Sequence, residues 1–226
     1  MIQKNLQRNW YENCYSKINT TGNPESIFFK LLHRSLEIKA DDSIGKVILE
    51  VGCGQAEHIA FVQKGWKKYV CSDIVMPSQV IKKKIASEGG IFRQADVHNL
   101  PFKNRQFDRL ISTCLLHHLV DPYKAMCEMM RVVKIQGQIS IFLPNDPGFT
   151  FRLLRSLTSG RKAKKFGISS ELKLIYALEH RNHYLQLITL LNEAFKNQDI
   201  KIRQYPLNGL GYDFNAFAII NIRRVT

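Results

Sequence analysis

Between Val47 and Pro144, apolar runs of strand length alternate with amphipathic stretches of helical period, and this rhythm constrains the fold more than any other feature of the chain. Val47–Val51, Lys68–Ser72, Ile91–Ala95, Phe107–Ser112 and Gln138–Leu143 read as five strands. Pro77–Glu88 reads as a helix, with Val80, Ile81 and Ile85 on one face. Asp121-Pro122 has the form of an N-cap followed by proline at the first helical position, opening a helix to about Val133 with Ala125, Met126 and Met129 apolar. Regular β-α-β-α alternation predicts a parallel, doubly wound sheet with helices on both faces, and right-handed crossovers then restrict its topology.

The rhythm is different at either end. A helix is predicted after Asn23-Pro24, with Ile27, Phe28, Leu31, Leu32 and Leu36 at helical spacing. After Pro144 the chain is long, basic in its middle and interrupted by Gly148, Gly160 and Gly167. Tyr184–Phe195 returns as a helix. Ile200–Tyr205 and Phe214–Ile222 follow as two strands with a turn-rich connection around Asn208-Gly209, which predicts an antiparallel hairpin at the sheet edge.

With 226 residues, 45% hydrophobic and 23% charged, the chain has a globular composition. That excludes a disordered chain, a collagen-like chain and a coiled-coil rod, and the length suits a single domain. The five cysteines (Cys14, Cys53, Cys71, Cys114, Cys127) form no CxxC pair, so a disulfide framework is not expected and a reducing compartment is. No apolar run approaches the ~18–20 residues of a spanning helix, and the first ten residues hold no apolar core of a signal peptide. A cytoplasmic protein, monomer or homodimer, without membrane insertion is expected. The net charge of +14, from 33 Lys+Arg against 19 Asp+Glu, suits polyanions, anionic surfaces or acidic small substrates, or reflects a basic proteome.

The strongest chemical signal is Val47–Val51 running into Gly52-Cys53-Gly54. A buried strand delivers the chain into a glycine turn, where backbone can approach a ligand closely. Glu50 sits at the strand end. Asp73 ends the second strand, where a carboxylate can accept both ribose hydroxyls. Asp96 follows the third, where a carboxylate can accept an adenine amino group.

Glu50-Val51-Gly52-Cys53-Gly54, Asp73, the segment Asp96–Phe102, and Phe107–Ser112 followed by Leu116-His117-His118-Leu119 together resemble the class I S-adenosylmethionine-dependent methyltransferases. Glu128–Gly137 and Pro144-Asn145 resemble the corresponding stretch of small-molecule members of the ubiquinone- and biotin-pathway type. The usual proline and first glycine are replaced in Lys134-Ile135-Gln136-Gly137, and Ala56 replaces a frequent third glycine; both changes touch turn geometry. The resemblance covers about Lys46–Asn145 and implies a seven-stranded Rossmann-like sheet, mostly parallel with an antiparallel last strand. It implies S-adenosylmethionine as cofactor, with S-adenosylhomocysteine as product. Glu50, Gly52, Cys53, Gly54, Asp73, Ile74, Asp96, Val97, Thr113 and Cys114 are then the cofactor-binding candidates. It also implies that residues 1–40 form an N-terminal helical cap, with Tyr11 and Tyr15 as candidate substrate contacts, and that residues 146–182 form an inserted lid over the acceptor pocket. The dehydrogenase alternative lacks the third glycine of its fingerprint after Gly54.

Methyl transfer to a hydroxyl needs a base, and histidine is the commonest. His118 and His117, after the fourth strand, are the catalytic candidates, against a reading in which the pair is loop structure. His180, Arg181 and His183 are candidate substrate contacts. His180 and His183 stand three apart and could share a helix face, but the sequence supplies no fixed third ligand, so no metal is expected. Arg152, Arg155, Arg161, Lys162, Lys164 and Lys165 would suit a phosphate or carboxylate substrate, or form a solvated face. Lys82-Lys83-Lys84 is expected to be solvated and remote from the site. The function expected is transfer of a methyl group to a small anionic molecule, with oxygen favoured. The alternatives are an RNA methyltransferase, suggested by the charge, and a non-catalytic cofactor-binding regulator.

Overall fold

The computed structural model describes residues 24–38 and 40–225. Tyr11, Tyr15 and most of the expected N-terminal cap therefore lie outside the described residues. Helix α1 (Pro24–Ile38) precedes strand β1 (Val47–Val51), β2 (Lys68–Asp73), α2 (Gln79–Ser87), β3 (Ile91–Gln94), β4 (Phe107–Thr113), α3 (Pro122–Val132) and β5 (Val133–Pro144). Helices α4 (Phe149–Arg155), α5 (Arg161–Lys165) and α6 (Ser169–Glu179) follow, with a π-helical turn between the first two. Helix α7 (Tyr184–Ala194), β6 (Asp199–Tyr205) and β7 (Phe217–Arg223) close the chain.

The seven strands form one sheet in the order β3-β2-β1-β4-β5-β7-β6. β1 through β5 pair in parallel, and β7 lies antiparallel between β5 and β6. This is the expected doubly wound sheet with an antiparallel last strand. One face buries Leu49, Val70, Leu110 and Ile139 with Met126 and Met129 of α3 and Leu187 and Leu191 of α7. The other buries Ile48, Tyr69, Cys71 and Ile111 with Leu32 and Leu36 of α1 and Ile85 of α2. Alternate residues of each strand thus serve opposite layers, as the pleat requires.

Several boundaries differ from expectation for local reasons. β5 starts at Val133, directly after α3, because a bulge absorbs Lys134–Gln136: Phe107 pairs with Val133, and the ladder resumes at Arg109 and Gln138. Gln136 sits there with φ +63°, so it occupies the left-handed backbone that glycine fills more cheaply. Val80 is 77% exposed, because α2 covers the edge of the sheet mainly through Ile85. Phe214 lies in a 3-10 turn ahead of β7 rather than in the strand.

A buried polar network ties α1 to the middle of the sheet. Arg109 of β4, only 2% exposed, grips Glu37 of α1 with both guanidinium amines at 2.8 and 2.6 Å. Glu37 Oε1 also lies 2.9 Å from His58 Nε2, and His58 Nδ1 is 2.8 Å from His33 Nδ1. Burial works against the charge on Glu37, but hydrogen bonds from His58 and Arg109 win and bring its pKa to about 2. Burial, then the nearby His58, lowers the pKa of His33 to about 3.

Both shifts act in the same direction. Glu37 contributes stability above its unfolded value of 4.5 and loses it as pH falls toward 2. His33 stays neutral in the fold while the unfolded chain takes up a proton near 6.5, so folding also loses stability from 6.5 down toward 3. The melting temperature should therefore fall continuously through this range on acidification. Arg109→Ala, which strands a buried carboxylate, should cost about 3–5 kcal/mol and lower Tm by roughly 2–4 °C per kcal/mol. A melting temperature flat between neutral pH and the Glu37 range, or an unchanged Arg109→Ala variant, would remove this network from the account.

Candidate active site

Strand order reverses between β1 and β4: β2 and β3 lie to one side of β1, and β4 and β5 to the other. In open α/β sheets the crevice at the carboxyl ends of such strands is where ligands bind. Val51-Gly52 and Thr113-Cys114 sit at those two ends, and Gly52 meets the β4 loop directly. Its φ is +66°, and a Cβ there would lie 2.7 Å from Leu115 Cδ1.

The turn after β1 is fastened to β2. Cys53 donates its N–H to the Ser72 carbonyl at 3.0 Å. Gly54 donates to Asp73 Oδ2, and Val75 donates to Asp73 Oδ1, both at 2.9 Å. Asp73 is half-buried and fixed, with each oxygen keeping acceptor capacity beyond its one backbone partner. Lys84 donates to the Gln55 carbonyl at 3.0 Å, so this lysine of the triple-lysine run supports the turn instead of standing free in solvent. Asp96 Oδ1 accepts from the His98 N–H at 2.9 Å and lies 2.7 Å from His98 Nδ1. The backbone bond from His98 is the main reason its pKa lies below the ordinary value. Val97 is buried beside it and Ile74 is exposed.

Glu50 is placed differently from expectation. Its carboxyl is 1% exposed and accepts the Tyr69 hydroxyl at 2.7 Å. Strand parity turns it toward the α1 layer, and burial raises its pKa. Its place is beneath the turn, in support of it. Cys53 likewise buries its side chain in that layer and leaves its backbone at the turn.

Three histidines converge at the end of β4. Ring centroids of His117 and His118 lie 3.9 Å apart, those of His117 and His180 4.7 Å, and those of His118 and His180 5.4 Å. The sequence spacing pointed to His180 with His183 on one helix face. Instead His180 caps the end of α6 and His183 precedes α7, and the segment between them is sewn to the β4 loop. Arg181 and Asn182 donate backbone N–H groups to the His117 carbonyl at 2.9 and 3.2 Å. The Asn182 amide donates to the Leu116 and Leu119 carbonyls at 3.3 and 2.7 Å. Those bonds, across more than sixty residues of sequence, carry His180 to the pair. His183 and the Arg181 side chain stay exposed.

The surroundings assign the ring protons. His118 Nδ1 lies 3.0 Å from the Glu179 carbonyl, which can only accept, so Nδ1 carries the hydrogen and Nε2 the lone pair. His180 Nδ1 lies 2.6 Å from Asp146 Oδ2. Burial opposes ionisation of Asp146, but His180, with Arg155 and His183 behind it, outweighs that and holds its pKa down. The carboxylate therefore accepts the hydrogen of His180 Nδ1, and Nε2 is the ring nitrogen left without a partner on Asp146. His117 is 4% exposed, and its Nδ1 has no hydrogen-bond partner. Burial, then the charges of its two neighbours, lowers the pKa of His117 well below the ordinary value. Asp146 and Glu179 were not singled out in the sequence. The Asn145-Asp146-Pro147 break after β5 was the available signal for the first; Glu179 meets His118 Nδ1 with its carbonyl at 3.0 Å and its carboxylate at 3.7 Å, a contact over 61 residues that no spacing pattern marks.

Residues 49–141 match the family described as a methyltransferase domain. The sheet that carries this segment has the fold of solved S-adenosylmethionine-dependent methyltransferases. Methyltransferase GfsG of Streptomyces halstedii is 30% identical over 109 residues, 46% of this chain and 39% of that one. A tRNA (carboxymethyluridine(34)-5-O)-methyltransferase of Arabidopsis thaliana is 33% identical over 100 residues, 43% of this chain and 24% of that one. The chain thus spans well under half the length of these two relatives. Among solved structures, the N-methyltransferase NodS of Bradyrhizobium japonicum, in complex with S-adenosylhomocysteine, superposes with a TM-score of 0.61 at 14% identity, covering 99% of this chain and 98% of that one. The methyltransferase segment ends with β5, so the helices α4–α6 and the third histidine lie beyond it. No described helix is long and apolar enough to cross a membrane.

The contact between Gly52 and Leu115 yields a direct prediction for this methyltransferase segment. Gly52→Ala forces a left-handed alanine, costing about 1–2 kcal/mol, and a clash costing about 1–3 kcal/mol. A second substitution, Leu115→Ala, should relieve the clash and leave the backbone cost. Calorimetry of the single and double variants should show a non-additive pair; simple additivity would refute the close approach of the two strand ends.

Proposed function

We propose that the chain transfers a methyl group from S-adenosylmethionine to a small anionic acceptor, at oxygen, with His118 as the base. The observation that carries this reading is the pairing of two features at one crevice: a fixed ribose-type acid, Asp73, under the Gly52–Gly54 turn, and an imidazole with its lone pair defined at the end of the adjoining strand.

Asp73 would hold the ribose, Asp96 and Val97 with Ile74 the adenine side, and Thr113 and Cys114 the methionine end, with Gly52 admitting the cofactor close to the backbone. Glu50 and Cys53 support the turn from beneath. The cofactor supplies an activated methyl; the protein supplies alignment and proton removal. His118 Nε2 would take the acceptor's hydroxyl proton as the acceptor oxygen gains the methyl that S-adenosylmethionine would supply, S-adenosylhomocysteine being the neutral leaving group. His118 suits the base better than His117, since its side chain is 34% exposed. Burial, then the charge of His180, lowers its pKa against the pull of Glu179, which keeps it neutral and competent at physiological pH. Residues 146–182 would cover the acceptor, with Arg181, His183 and the exposed Arg161, Lys164 and Lys165 drawing in its anion.

A second reading, methylation of RNA, has specific support. One relative's name describes a tRNA 5-O-methyltransferase, the net charge is +14, and Arg152, Arg161, Lys164 and Lys165 are exposed on consecutive helices. Incubating the protein with labelled cofactor and either tRNA or a panel of phosphorylated and carboxylated metabolites separates the two. Incorporation into tRNA, with a steep loss of binding on adding salt, would replace the first reading.

Two variants test the site. Asp73→Asn should weaken S-adenosylhomocysteine binding by about 1–3 kcal/mol in a folded protein. His118→Ala should lower kcat by roughly 10²–10⁴ with cofactor affinity unchanged, and kcat of the parent should rise with pH through an ionisation below the ordinary histidine value. Unchanged cofactor affinity sinks the ribose assignment, and unchanged kcat in His118→Ala sinks the base.

A further inference from the structure

The three imidazoles have a property that base catalysis does not use. The ligating atoms of His117, His118 and His180 all lie within 4.8 Å of one another. His118 and His180 both have Nδ1 tied to an oxygen acceptor, the Glu179 carbonyl and the Asp146 carboxylate, which leaves Nε2 as the nitrogen each ring can offer to an ion. A carboxylate or carbonyl behind a histidine is the arrangement that fixes tautomer and raises basicity in metal-binding imidazoles. Arg155 lies 3.6 Å from the same Asp146 oxygen and adds a positive charge beside it. His117 adds a nine-tenths-buried ring with an unpartnered nitrogen, an expense that folded proteins rarely leave uncompensated.

We propose that His117, His118 and His180 form a binding site for a divalent transition metal of the Zn²⁺ or Co²⁺ type, with three nitrogen ligands and an open fourth position. Neutral imidazoles select these ions over Mg²⁺ and Ca²⁺, which prefer oxygen. Tetrahedral ligation at about 2.0–2.1 Å per nitrogen places ligand nitrogens about 3.4 Å apart, so the three nitrogens, now within 4.8 Å of one another, must draw together by about an ångström to close on the ion. Asp146 holds His180 from the second layer, and the Arg181 and Asn182 backbone bonds hold the two segments together. The sequence alone pointed elsewhere, because the third ligand comes from a segment sixty residues away. One consequence rests on the function proposed above: an ion on His118 Nε2 takes the lone pair assigned to the acceptor's proton, so metal occupancy and base function exclude each other. Metal binding itself does not depend on that reading.

The test uses the untagged chain, stripped with a chelator and titrated with Co²⁺ in the absence of cofactor and acceptor. One equivalent should bind with the intense visible absorption of a tetrahedral site, and Zn²⁺ should displace it. His118→Ala and His180→Ala should each weaken binding at least tenfold, and Asp146→Asn by roughly 10–100-fold. His183→Ala, on the exposed side, should leave metal affinity within twofold. Circular dichroism and S-adenosylhomocysteine binding, measured on the same samples, report the fold and the cofactor site independently. Absence of Co²⁺ uptake by the parent at tenfold excess would overturn the proposal, as would affinity unchanged in both His118→Ala and His180→Ala, or lost equally in His183→Ala.

Discussion

The parallel pairing of β1 with β4 is the constraint on which the rest of the molecule depends. Two parallel neighbours whose crossovers leave in opposite directions cannot have their carboxyl ends covered by either connection. Everything of chemical interest gathers at that gap: the glycine turn from one strand, the histidine loop from the other, and the Asp73 carboxylate from the next strand out. Glu37 and Arg109 lock α1 onto one face of the sheet. The acid Glu50, expected at the ligand, is buried on that same face and bonded to Tyr69.

The fold was legible because its signals are local. Strand-length apolar runs, the Asp121-Pro122 helix start and the hairpin near Asn208-Gly209 each depend on a few consecutive residues. The bulge at Lys134–Gln136 was not legible, since a glutamine in left-handed backbone carries no compositional mark. Asp73 could be located from sequence because it closes a strand-length run, and the structure puts it at the end of β2, bonded to the Gly54 backbone. The partners of the histidines could not. His180 reaches His117 through main-chain hydrogen bonds and an asparagine amide, and neither leaves a spacing pattern. The His33–His58–Glu37–Arg109 network was hidden for the same reason: its bonded partners are separated by up to 72 residues and meet only once the sheet has formed.

The histidine cluster also shows how chemistry accumulates beyond a family's shared core. His117 and His118 lie within the methyltransferase segment, whereas His180, Asp146 and Glu179 come after it. The shared sheet provides one edge of the cluster, and the later chain provides the groups that set tautomer and burial. Buried imidazoles with depressed basicity follow from that division, because the covering segment excludes water from rings that would otherwise be solvated.

The segment between β5 and α7 keeps a small apolar core of its own: Ala163, Ile168, Leu172 and Ile175, with Tyr176 packed against them. Its cohesion is therefore separate from that of the two layers flanking the sheet. Mutations on the outer faces of α5 and α6 can therefore accumulate without loosening the strands, because the residues that hold these helices together are not those that hold the sheet.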